Sequence, residues 1–114
     1  MTKKSVPVAC NLDTDGRQSQ LQRWLALQPS CTRVEKRDDH VVLWFEAQAG
    51  NAVRAAVAVE QSCCGFLTLD VTQDQSEARL TLGTQPSDGW PVVQALAELA
   101  GGDLYVRSRS AAGQ

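Results

Sequence analysis

The sequence predicts an α+β fold: one antiparallel sheet with helices packed on one face, in the order β-α-β-β-α-β-β-α. Three observations carry that reading. Short apolar runs alternate with period two, as half-buried strands do. Between them lie stretches whose apolar residues recur at i, i+3, i+4 and i+7, the spacing of a helix face. Compact polar turns join two pairs of strands. The first six elements follow the split β-α-β pattern of a ferredoxin-like fold.

The first strand is expected over residues 6–12, with Val6, Val8, Cys10 and Leu12 on one side and Pro7 tolerated near its start. Asp13, Thr14 and Asp15 suit a helix N-terminus, and a helix is expected over 16–27, with Leu21, Trp24, Leu25 and Gln28 as its inner stripe. Pro29 ends it. Strands over 31–36 and 41–47 flank Arg37-Asp38-Asp39-His40, a hairpin turn by composition. The second of these is apolar on both faces, which places it centrally in the sheet.

Asn51 can cap a second helix that runs to about Cys64, where Gly65 is suited to stop it. A further hairpin is expected from 66–72 and 78–82, the latter extending an edge of the sheet. A third helix spans 90–100 with Val92, Val93, Leu96, Leu99 and Ala100 inward. Gly101-Gly102 stops it, and Leu104-Tyr105-Val106 could form a short strand. Residues 1–106 thus form one domain and 107–114 a loose tail.

The totals bound the function. A chain of 114 residues with 43% hydrophobic and 21% charged content supports one modest core. A formal net charge of −2 argues against nucleic-acid binding, which favours a basic face. No stretch approaches the roughly 20 apolar residues of a membrane span. The basic start lacks the apolar core of a signal peptide, so a cytoplasmic location is the expectation. The four cysteines are then expected as thiols.

Glu60-Gln61-Ser62-Cys63-Cys64-Gly65-Phe66 is the most informative stretch. On a helical wheel, Val53, Ala56, Val57, Glu60, Cys63 and Cys64 share one arc, while Arg54, Ala55, Ala58, Gln61 and Ser62 share the other. A carboxylate in an apolar stripe costs free energy unless it is paired, hydrogen-bonded or protonated. Here it sits one turn before two adjacent sulfurs, at the i,i+3 and i,i+4 spacings that bring side chains together. If the first strand lies beside the strand after Gly65, as ferredoxin-like topology requires, Cys10 joins the same corner.

Thiolates select soft ions such as Hg(II), Cu(I) and As(III). Zinc fits less well, because the C-x-x-C spacing is missing and His40, the only histidine, lies in a distant turn. A redox pair of adjacent cysteines would close a cramped ring. The plain alternatives are that Cys63 and Cys64 act as small buried hydrophobes, and that Glu60 only bonds a backbone group or an Arg. Cys31 reads as a structural or exposed thiol. Trp24, Trp44 and Trp90 read as core.

Glu60-x-x-Cys63-Cys64-x-Phe66, with Cys10-x-Leu12 closing the first strand, resembles the E-x-x-C-C-x-F signature of a small bacterial family. That family is associated with mercury-resistance-type regulators, and the resemblance implies heavy-metal or thiol chemistry. This chain departs from the pattern at Gly65, where a Pro is expected, and at Gly83-Thr84-Gln85-Pro86, where Gly-Pro is expected.

The leading expectation is a binder of a thiophilic metal ion through Cys63 and Cys64, with Cys10 as third ligand. Glu60 would support the ligands or handle a proton. One rival is a thiol-dependent enzyme, cleaving a metal–carbon bond or doing redox work with Glu60 as proton donor. The other is an interaction module whose cysteines only pack. The expected partners are a metal ion or small thiol-reactive ligand, with a homodimer as a further option and no nucleic acid or membrane.

Overall fold

Alternation along the strands sorts the sheet into a packed face and an open one. The computed structural model describes residues 14–63, 65–85 and 87–108, leaving out the side chains of 14–17, 63 and 87. The described chain begins with helix α1 (Thr14–Leu25) and a 3₁₀ turn (Gln28–Ser30). Strands β1 (Cys31–Lys36) and β2 (His40–Glu46) follow, then a second 3₁₀ turn (Ala47–Ala49) and helix α2 (Gly50–Cys63). Strands β3 (Leu67–Gln73) and β4 (Glu77–Thr84), a third 3₁₀ turn (Ser87–Gly89) and helices α3 (Trp90–Gly101) and α4 (Asp103–Arg107) complete it.

All strand pairings are antiparallel, in the order β1-β2-β4-β3. This is an α+β architecture of the ferredoxin-like kind, with helices packed on an open antiparallel sheet. Because β4 runs antiparallel to both its neighbours, β2 and β3 are parallel to each other. The unit β2-α2-β3 is therefore a split β-α-β, with β4 filling the gap. Central β2 is apolar on both faces, as its sequence suggests: Val41, Leu43 and Phe45 enter the core, and Val42 and Trp44 face the other way.

The strand order corrects one expectation. The segment 78–82 does not extend an edge; β4 is central, paired with β2 from Glu46↔Glu77 to His40↔Gly83 and with β3 from Leu67↔Thr84 to Gln73↔Ala78. Its alternation explains this, since Ala78, Leu80 and Leu82 are all fully buried. The slot that would have set the first strand between β2 and β3 is thus taken. That first strand, with Cys10, lies outside the described residues.

The turns follow their composition. Arg37 N–H donates to the His40 carbonyl at 2.8 Å across the β1–β2 turn. In the β3–β4 turn, one Asp74 carboxylate oxygen accepts from the Ser76 and Glu77 amides and the Ser76 hydroxyl. Those donors hold the Asp74 carboxyl below the usual carboxylate range.

Two helical expectations change. Among the described side chains of α1 the buried ones are Gln20 and Trp24, followed by Leu27, whereas Leu21 and Leu25 stand 40% and 41% exposed. The inner stripe is rotated because Trp24 and Gln20 find polar partners on α2. The chain after Gly102 forms α4 rather than a strand: Gly102 turns at φ 56°, and its carbonyl accepts from the Tyr105 and Val106 amides. That positive φ strains any larger residue at Gly102, and a Cβ there would also have to displace the Gln28 side chain, which it would meet at 2.5 Å. Arg107 belongs to α4, and Ser108 Oγ donates to the Val34 carbonyl, so the expected tail is anchored at its start.

Candidate functional site

Glu60 lies in the last turn of α2 and is 3% exposed. The wheel drawn from sequence holds for its neighbours: Val53, Ala56 and Val57 are buried, and Arg54, Ala55, Ala58, Gln61 and Ser62 are exposed. Helix α1 supplies donors to the carboxylate. Trp24 Nε1 donates to Glu60 Oε1 at 2.9 Å, and Gln20 Nε2 donates to the same oxygen at 2.6 Å. Gln20 Nε2 also reaches the Ala56 carbonyl at 3.1 Å.

The network continues outward. Gln20 Oε1 accepts from Arg23 at 2.7 Å, so a guanidinium backs the amide that serves the carboxylate. Trp24 is fully buried and Gln20 is 3% exposed, so these bonds are shielded from water, where they gain strength. An amide and an indole are among the partners of Glu60, with Arg23 one link away.

The same end of α2 is tied to the sheet. Gln61 Nε2 donates to the Leu69 carbonyl of β3 at 3.2 Å. Beyond the helix, the half-buried Phe66 packs on the core, and its carbonyl accepts from the Gln85 amide and the Thr84 hydroxyl. The last turn of α2 and the start of β3 are therefore held on both sides of the cysteine pair.

Cys63 is the last residue of α2. Its side chain, Cys64 and Cys10 lie outside the described residues. Cys31 is 9% exposed and packs in the core. Burial pushes its thiol up from the ordinary value, the Arg33 backbone opposing this in part, and its Sγ–H donates to the Arg33 carbonyl at 3.6 Å. Cys31 thus has the structural role expected of it. The thiolate is the reactive species, so iodoacetamide at neutral pH should leave Cys31 unmodified in the native protein and label it in urea. Peptide mapping by mass spectrometry reads both states, and rapid native labelling of Cys31 would refute the assignment.

Among the described residues no three His, Cys, Asp or Glu side chains gather as a metal site. His40 bonds Asp39 at 2.7 Å in an exposed turn. Trp90 packs on the core, but Trp44 does not: it lies on the open face, with the Arg33 guanidinium 4.4 Å from its ring centre.

Sequence reasoning missed Gln20 as a partner of Glu60. The signal was present, because an amide one turn from a core tryptophan is a ready donor for a buried carboxylate. Choosing it required knowing how α1 rotates against α2. Comparison of the chain with family models, curated proteins and solved structures finds no match.

Proposed function

We propose that this chain captures a thiophilic ion of the Hg(II), Cu(I) or As(III) class through Cys63 and Cys64. One observation supports the reading above the rest. The last turn of α2 is fastened by Glu60 to α1 and by Gln61 to β3. Ligands carried next to a helix turn fastened in this way would lose less freedom on closing round an ion, which favours binding. Soft sulfur donors also match these ions better than oxygen or nitrogen would.

Glu60 serves in this reading as the fastening, its Oε1 already accepting from Gln20 and Trp24. The enzymatic variant, in which Glu60 delivers a proton to a leaving carbon, would have to draw on that same group.

Calorimetric titration of Hg(II) in the presence of a competing small thiol tests the proposal. Both Cys63→Ala/Cys64→Ala and Cys63→Ser/Cys64→Ser should lose binding, whatever their stabilities. Affinity in the wild type should fall as pH drops, because the ligands must shed protons. Unchanged affinity in the double Ala variant would reject the metal reading and leave the cysteines as packing groups.

A further inference from the structure

The face of the sheet opposite the helices has a charge pattern of its own. Val42 and Trp44 belong to it, and neither is part of the core cluster that the described helices cover. Strand register divides this face into rows that run across the sheet. One row holds His40 of β2 and Gly83 of β4 beside Thr68 of β3, with Arg37 at its β1 end. The next holds Glu35, Val42, Thr81 and Asp70, and the third holds Arg33, Trp44, Arg79 and Thr72. The last pairs Glu46 with Glu77. Basic and acidic rows therefore alternate along the strands.

We infer that this face is a self-association surface, closed by a second copy of the same chain. Two ways of laying one copy on another by a two-fold axis in the plane of the sheet can be compared. An axis parallel to the strands sets each row on itself, which opposes Glu35 to Asp70 and Glu46 to Glu77. An axis across the strands, between the second and third rows, keeps β1 over β1 and inverts the row order. Glu35 then meets Arg33 of the second copy, His40 meets Glu46, and Val42 meets Trp44. Asp70 comes diagonally beside Arg79. Every acidic row faces a basic one, with an apolar centre, as an isologous interface requires.

The apolar centre exists already in the single copy. Val42 is only 8% exposed although it stands outside the main core cluster, and the Arg33 guanidinium lies 4.4 Å from the Trp44 ring centre. Arg33 and Arg37 both approach Glu35, at 3.6 and 2.7 Å, which holds their side chains against the face. Four strands about 4.8 Å apart and four rows about 6.6 Å apart give a footprint on the order of 500 Å² per copy. Two copies would bury on the order of 1,000 Å², the lower limit for a specific interface, so the dimer should be reversible.

Charge exchange supplies the test, and it does not depend on the thiols. Sedimentation velocity over a concentration series should show wild-type protein passing from monomer to dimer. Arg33→Glu/Arg79→Glu should be monomeric, because its third row now repels the second row of its copy. Glu35→Arg/Asp70→Arg should be monomeric for the converse reason. Mixed in equal amounts, the two variants should form a heterodimer, since each reversed row then meets its complement. Thr81→Arg, which faces Arg79 of the second copy, provides a single substitution that should also leave monomer. A wild type monomeric at all concentrations would overturn the inference, leaving the face to another partner. So would variants that still dimerise, or folded variants whose mixture stays monomeric.

Discussion

Trp24→Ala is expected to lower the stability of this protein by about 3–5 kcal/mol, the range for removing a large buried aromatic side chain. Trp24 is fully buried between α1 and the core, so the loss includes a cavity at the point where α1 joins the rest of the fold. Its Nε1 also donates to Glu60 Oε1, beside Gln20 Nε2. Trp24→Phe separates the two contributions: it keeps most of the ring volume and removes the donor, for an expected cost of about 1–3 kcal/mol. Urea unfolding followed by circular dichroism measures both. A Trp24→Ala midpoint close to wild type would show that α1 contributes little to the folded state.

Glu60→Lys should be the most damaging single exchange at the α1–α2 contact, with an expected loss of about 3–5 kcal/mol or failure to fold. The lysine brings a cation to a buried position where Gln20 Nε2 and Trp24 Nε1 both point their hydrogens. Both donors lose their acceptor and face the new charge. Glu60→Gln retains an acceptor oxygen at the same reach, so it should cost only about 1–2 kcal/mol. Thermal melts of the two variants give the comparison. Equal melting temperatures for Glu60→Lys and Glu60→Gln would show that the carboxylate is not held as described. Because Glu60 and Trp24 touch, their double variant should lose less than the sum of the two single losses.

The α2 stripe was legible because one helix face decides it locally. Val53, Ala56 and Val57 recur at helical spacing, and Glu60 in their midst announced that a polar partner must exist. Both hairpins were legible for a similar reason: residues 37–40 and 73–76 are turn formers between alternating strands. The partner of Glu60 was not legible. Two stripes compete on α1, one through Leu21 and Leu25 and one through Gln20 and Leu27, and both contain Trp24. Apolar spacing favours the first, but the need of a buried carboxylate for donors settles the second.

By itself, then, the sequence determined the three long helices, both hairpins, the α+β class, the buried stripe of α2 and the central position of β2, because each depends on residues near one another along the chain. Tertiary structure alone decided that β4 sits between β2 and β3, since strand order is chosen by which apolar faces can be buried together. It also decided that α4 replaces a strand after Gly102, where Tyr105 packs on the core and Lys36 reaches its ring. The same holds for Trp44, whose spacing suits a core but whose strand face points away from the helices. Periodicity tells which residues share a face; only packing tells what that face meets.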